Sequence, residues 1–128
     1  MRIFKTVPFA RFARKAAVGD EQLKKAMADV EHGLVDVDLG GGVLKQRIAR
    51  QGAGKSGGFR VIVLFRHGER AFFVHGFAKS DQSNISGDEL AAFKMLAAEM
   101  LAYHDEALSA ALRSGALMEI DGDEEAVP

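Results

Sequence analysis

Residues 43–79 read VLKQRIARQGAGKSGGFRVIVLFRHGERAFFVHGFAK, and the fold turns on how this stretch is divided. Its centre, Phe59 to Arg66 (FRVIVLFR), is aromatic, β-branched and apolar except at its ends. Such a run, preceded by glycines and followed by a turn, predicts a central strand buried on both faces. His67-Gly68-Glu69 predicts a tight turn, and Arg70 to Phe77 returns as the hairpin partner. Upstream, Val43 to Arg50 alternates, with Leu44 and Ile48 on one face and Lys45 and Arg47 on the other. Gln51 to Gly58 is glycine-rich and predicts a loop. A three-stranded antiparallel meander therefore occupies the middle of the chain.

Working outward, Arg2-Ile3-Phe4-Lys5 alternates as a short first strand. Pro8 suits the first turn of a helix that puts Phe9, Phe12, Ala13 and Ala16 inward and Arg11, Arg14 and Lys15 outward. Gly19 breaks it, and Asp20 is the expected cap of a second helix that buries Leu23, Met27 and Val30 and stops at Gly33. A turn is expected over Asp38 to Gly42. Ser86-Gly87-Asp88-Glu89 is a capping box ahead of Leu90, Phe93, Ala97, Met100 and Leu101, giving a helix to about Tyr103. A further helix from about Asp105 to Arg113 and an edge strand at Met118-Glu119-Ile120 follow, with a frayed acidic end from Asp121. The expected architecture is α+β, with the N-terminal strand and helical hairpin packed on a small antiparallel sheet, followed by C-terminal helices. The helices are expected on one face of that sheet, with Lys45 and Arg47 on the other. One domain is expected over residues 1–120, with 121–128 as a tail.

The chain has 128 residues, 48% of them hydrophobic and 27% charged, which excludes a mostly disordered chain. There is no cysteine, so thiol catalysis, cysteine-zinc sites and disulfides are excluded. The four histidines, His32, His67, His75 and His104, show no metal-ligand spacing, and no metal or cofactor is expected. No apolar run approaches the roughly 18 residues that span a bilayer, and no signal peptide is visible. A cytoplasmic protein without membrane contact is the expectation. Charge is divided along the chain: residues 1–70 carry a net of +7 and residues 71–128 a net of −8. A basic half on a small domain is what a phosphate-binding surface requires, although charge blocks also serve as solvated faces.

Ala49 to Ser56 (ARQGAGKS) fits a relaxed phosphate-loop pattern, but that chemistry needs a helix directly after it. Here an apolar strand follows, so a nucleotide site is rejected. The informative set is Lys45, Arg47, Arg50, Lys55, Arg60, Arg66 and Lys79, all on or beside the meander. In an antiparallel hairpin the start of one strand lies beside the end of its partner, so Arg60 and Lys79 should be neighbours, with Lys55 on the loop at the same end. A cluster of cations repels itself unless an anion is present, and a phosphodiester satisfies it through charge-assisted hydrogen bonds. Arg60 would then hold the scissile phosphate, and a lysine with a pKa lowered by its cationic neighbours would serve as acid or base. The alternative is a set of solvated cations, each paired with an acidic side chain. His75 is expected as a satisfied core histidine, and Tyr103 and His104 as capping or packing residues. Asp81 and Asn84 either orient a substrate or shape the turn.

Three pieces carry a family resemblance: Gly42-Val43-Leu44-Lys45-Gln46-Arg47; Gly54-Lys55-Ser56-Gly57-Gly58-Phe59-Arg60; and Phe77-Ala78-Lys79-Ser80-Asp81 with Asn84-Ile85. In this order and spacing the chain resembles the RelE/ParE superfamily of type II toxins, particularly its RelE/HigB-like branch, over roughly residues 1–103. The resemblance implies a toxin neutralised by a cognate antitoxin, of helix-turn-helix type. It implies a metal-independent endoribonuclease that cuts mRNA on the ribosome, using the ribose 2′-hydroxyl as nucleophile and leaving a cyclic phosphate. By position, Lys55, Arg60 and Lys79 match the family's basic site residues, and Lys45, Arg47, Arg50, Arg66 and Asn84 are the accompanying RNA-binding candidates. RNA-cleaving relatives often carry a Tyr or His just after the last strand or near the C-terminus; here the strand is followed by Lys79-Ser80-Asp81, which leaves the general acid and base unassigned. The other reading is a non-catalytic toxin or binding module, either a gyrase inhibitor of ParE type or a degenerate toxin acting through protein binding.

Overall fold

The computed structural model describes residues 1–50, 54–79, 82 and 84–120, the side chains of Arg50 and of residues 54–57 excepted. The chain runs β1 (Arg2–Thr6), α1 (Val7–Ala16), α2 (Asp20–Glu31), β2 (Val37–Gly40), β3 (Val43–Arg50), β4 (Gly54–Arg66), β5 (Arg70–Ala78), α3 (Gly87–Met100), α4 (Asp105–Ser114) and β6 (Leu117–Ile120). These strands form one sheet in the order β2-β3-β4-β5-β1-β6. The architecture is α+β, with the meander β3-β4-β5 at its centre.

The strand FRVIVLFR explains the layering. Val61 and Val63 point to one face and Ile62 and Leu64 to the other, and all four are fully buried. A strand that is apolar on both sides needs cover on both sides. The first face packs on α1 and α2 through Phe9, Leu23 and Met27, and the second on α3 and α4 through Ala97, Met100 and Leu108. The expectation of helices on one face alone is corrected here. Lys45 and Arg47 therefore share the second face with α3 and α4, beyond the stretch those helices cover.

Other details also differ from the sequence reading. β1 does not sit on the sheet but within it, parallel to β5 and antiparallel to β6, where Phe4 stacks on Phe72 with ring centroids 5.1 Å apart. β2 replaces part of the expected turn at Asp38, and the turn is confined to Gly41 and Gly42. β4 starts at Gly54 rather than Phe59, with Gly54 opposite Arg50, so the expected loop shrinks to residues 51–53, which lie outside the described residues. Gly54-Lys55-Ser56 itself opens a strand and no helix follows it, which agrees with rejection of a phosphate loop. α1 ends one turn earlier than Gly19, with Ala17 left-handed at φ 56°, and Gly19 rather than Asp20 caps α2. α3 stops at Met100.

A bulge between Ile62 and Val63 lets Val74 and His75 both lie on the second face. The next residue, Gly76, faces α1. A Cβ there would stand 2.3 Å from the Phe12 ring, so only glycine allows the helix to approach this closely.

Candidate functional site

The registers of β3, β4 and β5 write two rows across the second face. Arg47 lies opposite Arg60, and Arg60 opposite Phe77; one step inward, Lys45 lies opposite Ile62, and Ile62 opposite His75. The apolar core ends at Ile62, and beyond it a cleft of about 240 Å³ opens. Lys45 and Arg47 from β3, Arg60 from β4 and Lys79 at the end of β5 line it, with Asp36, Val37 and Gln46.

The electrostatics of this cleft are unfavourable to the protein alone. Like charges directly opposite in an antiparallel pair destabilise it, and Arg47 and Arg60 occupy such positions. The Nη1 of Arg60 is buried and has no hydrogen-bond partner among the described residues. A buried charged donor without an acceptor costs upward of about 1–3 kcal/mol. Among the described residues none of the four cations forms an ion pair. Lys45 Nζ instead donates to Asn84 Oδ1 at 3.1 Å. The Asp36 carboxylate accepts the Arg47 backbone N–H. Gln46, buried at the back, accepts from Asp36 N and donates to Leu34 O, and so pins the approach to β2.

The sequence-selected residues thus divide. Lys45, Arg47, Arg60 and Lys79 come together, and Asn84 touches them through Lys45. Arg66 does not join them. It sits six residues along β4 from Arg60, about 20 Å at the usual strand rise, and lies 3.7 Å from Glu69. The side chains of Arg50 and Lys55 lie outside the described residues, as does Asp81. Asp36 was missed, because VDVD carries no pattern that distinguishes a cleft carboxylate from a turn residue. Among the described residues no group of three or more His, Asp or Glu side chains stands in metal-binding proximity.

A polar network adjoins the cleft. His75 packs between the Phe77 and Phe93 rings, at 5.7 and 5.6 Å between centroids, but its side chain is 29% exposed, so it is half-buried rather than the core histidine expected. Its Nε2 lies 3.4 Å from Gln82 Oε1 and 4.0 Å from Glu89 Oε2. Tyr103 gives its carbonyl to Arg70 Nη1, and His104 is the N-cap residue of α4, without a side-chain bond to the helix.

The Ser86 backbone N–H holds the Glu89 carboxyl below its ordinary value of 4.5, against the opposing effect of burial and with help from His75 and Gln82. A carboxylate depressed in the folded state contributes stability that is present above its unfolded value and lost as pH falls through the folded one. Glu89→Gln should therefore lower the urea midpoint at neutral pH, and the gap to wild type should close as pH drops below 4.5. A gap that does not change with pH would mean that the charge is not what holds the cap.

The fold and cleft define a class: a small α+β protein whose mixed sheet presents at one end a cluster of cations that form no ion pair among the described residues. The family model described as the RelE toxin of the RelE / RelB toxin-antitoxin system matches residues 1–120, and the chain belongs to this family. Membership makes it a toxin of a toxin-antitoxin system, with a cognate antitoxin as partner. No curated protein matches the chain significantly.

Proposed function

We propose that the chain is a metal-independent endoribonuclease that cleaves mRNA on the ribosome and is neutralised by an antitoxin of helix-turn-helix type. The observation that carries this reading is the buried Arg60 Nη1, without a hydrogen-bond partner among the described residues, beside Lys45, Arg47 and Lys79. Four cations, from β3, β4 and the residue after β5, favour an anion, and a cleft of about 240 Å³ suits one phosphodiester unit of a longer chain better than an enclosed small molecule. In the reaction a ribose 2′-hydroxyl attacks the adjacent phosphorus and gives up its proton. The bond from phosphorus to the 5′-oxygen breaks, that oxygen takes a proton, and a 2′,3′-cyclic phosphate remains. Arg60 holds the non-bridging oxygens as their charge grows, and Lys79 and Lys45 hold the flanking backbone. Lys55 and Arg50 are proposed as further phosphate contacts on sequence grounds, their side chains lying outside the described residues. Residues 1–120 act as the toxin domain in the cytoplasm, with 121–128 as an acidic extension.

One observation favours a second reading. Among the described residues no His or Tyr lines the cleft. A toxin that binds without cutting, such as a gyrase inhibitor, needs no acid or base. Mapping transcript 5′ ends after induction separates the two. The nuclease reading expects new 5′-hydroxyl ends within coding sequence that disappear in Lys79→Ala. Intact transcripts accompanied by DNA damage would favour gyrase.

A further inference from the structure

We infer that Gln82 is a positioning residue, a latch that ties Asn84 to the cap of α3 and to His75 of β5 and through Asn84 sets the place of Lys45 in the cleft. The inference rests on the reading of the cleft as an RNA site. Gln82 is bonded in four directions. Its backbone N–H donates to Ala78 O, the last residue of β5, at 3.1 Å. Its Nε2 donates to Asn84 O at 2.8 Å and to Glu89 Oε1 at 3.0 Å. Its Oε1 faces His75 Nε2 at 3.4 Å. Both amide hydrogens and the amide oxygen are thus engaged, which is close to all that the group can make.

Each of these partners is itself fixed. Glu89 is held by Ser86 N at 2.7 Å in the capping box, and His75 by its two aromatic neighbours. Asn84, whose carbonyl Gln82 grips, turns its side-chain oxygen to Ile85 N at 2.9 Å and to Lys45 Nζ at 3.1 Å. A chain of hydrogen bonds therefore runs from the α3 cap through Gln82 and Asn84 to a cleft cation. Lys45 has no other polar partner among the described residues, so its ammonium stands where Asn84 puts it.

The chemistry requires an amide at this position. A carboxylate of the same size would lose both donors and stand against Glu89, while a shorter amide could not reach both Asn84 and Glu89. Gln82→Glu and Gln82→Asn are the two variants. Each should leave α3 folded, since the other half of the cap, the Glu89 N–H donated to Ser86 Oγ at 3.0 Å, does not involve Gln82. The probe is a short single-stranded RNA with a 2′-deoxy nucleotide at the cleavage position, bound over a range of salt. Each phosphate contact contributes about 0.7 to the slope of log affinity against log salt on a single strand. Both variants should lose about 0.7 of that slope, as Lys45→Gln does in the wild-type background, and adding Lys45→Gln to either variant should lower it no further. Independent, additive losses would overturn the latch. Hydrogen exchange at the Ile85 amide, measured without RNA, should quicken in both variants. Unchanged exchange overturns the latch even if the wild type binds no RNA, whereas quickened exchange with no RNA binding by the wild type upholds the latch and sinks the RNA reading.

Discussion

Replacing Arg60 by alanine should lower RNA cleavage about 10²–10³-fold, the range seen when one preorganised donor to a developing oxyanion is removed. Arg60 sits on the middle strand of the meander, flanked by Arg47 on one side and Phe77 on the other, so its guanidinium has little freedom to be anywhere but in the cleft. Its Nη1 is already stripped of water and has no acceptor among the described residues. Desolvation ahead of binding is what makes such a donor effective in the transition state. The same features predict an unusual stability result. Alanine removes a like-charge cross-strand pair and a buried unsatisfied donor, so the urea midpoint should hold or rise, by up to about 1 kcal/mol in stability. Lost activity without lost stability marks a residue retained for function. Lysine should not restore the rate, because it lacks the planar fork that engages two phosphate oxygens. Cleavage kinetics on ribosome-bound mRNA, together with urea unfolding, check both halves. A variant that cleaves normally, or one that loses activity only because it unfolds, contradicts the assignment.

Phe72→Ala should cost about 3–5 kcal/mol, the usual range for deleting a fully buried aromatic side chain. Phe72 has no exposed surface, lies on β5 between β4 and β1, and stacks on Phe4. It belongs to the layer beneath α3 and α4, together with Leu64, Met100 and Leu108. The cavity would open where two strands and two helices meet, so little can collapse to fill it. Against a typical total of about 5–15 kcal/mol, this is enough to leave a large unfolded fraction on mild heating. Equilibrium urea unfolding measures it directly. A loss below about 1 kcal/mol would mean that the second layer contributes far less than its burial suggests.

The meander was legible because FRVIVLFR, its flanking turn and RAFFVHGF leave few alternatives. The same strand also held the clue to a second helical layer, since apolarity on both faces demands two covers. Which helices supply each cover depends on where α3 crosses the sheet, and periodicity along α3 says nothing about that. β2 was hidden because VDLG is four residues long with an acid inside, and only its pairing with β3 makes it a strand. At the site, the nearness of Arg60 and Lys79 followed from antiparallel geometry. Arg66 is kept apart by the same geometry, since it closes β4 six residues beyond Arg60 and opposite ends of one strand cannot share a cleft. Asp36 and Gln82 carried no signal at all, because their roles come from a buried glutamine and from a turn whose shape tertiary contacts decide.

The claim that Lys45, Arg47, Arg60 and Lys79 grip a single RNA linkage is tested most directly by nuclear magnetic resonance during titration with an RNA of blocked cleavage. The side-chain nitrogen signals of Arg60, Lys45 and Lys79 should move together, with one midpoint, and the Arg66 signal should stay still. An Arg60 signal unmoved at saturation, or movement centred on the Arg66–Arg70 turn, would contradict it.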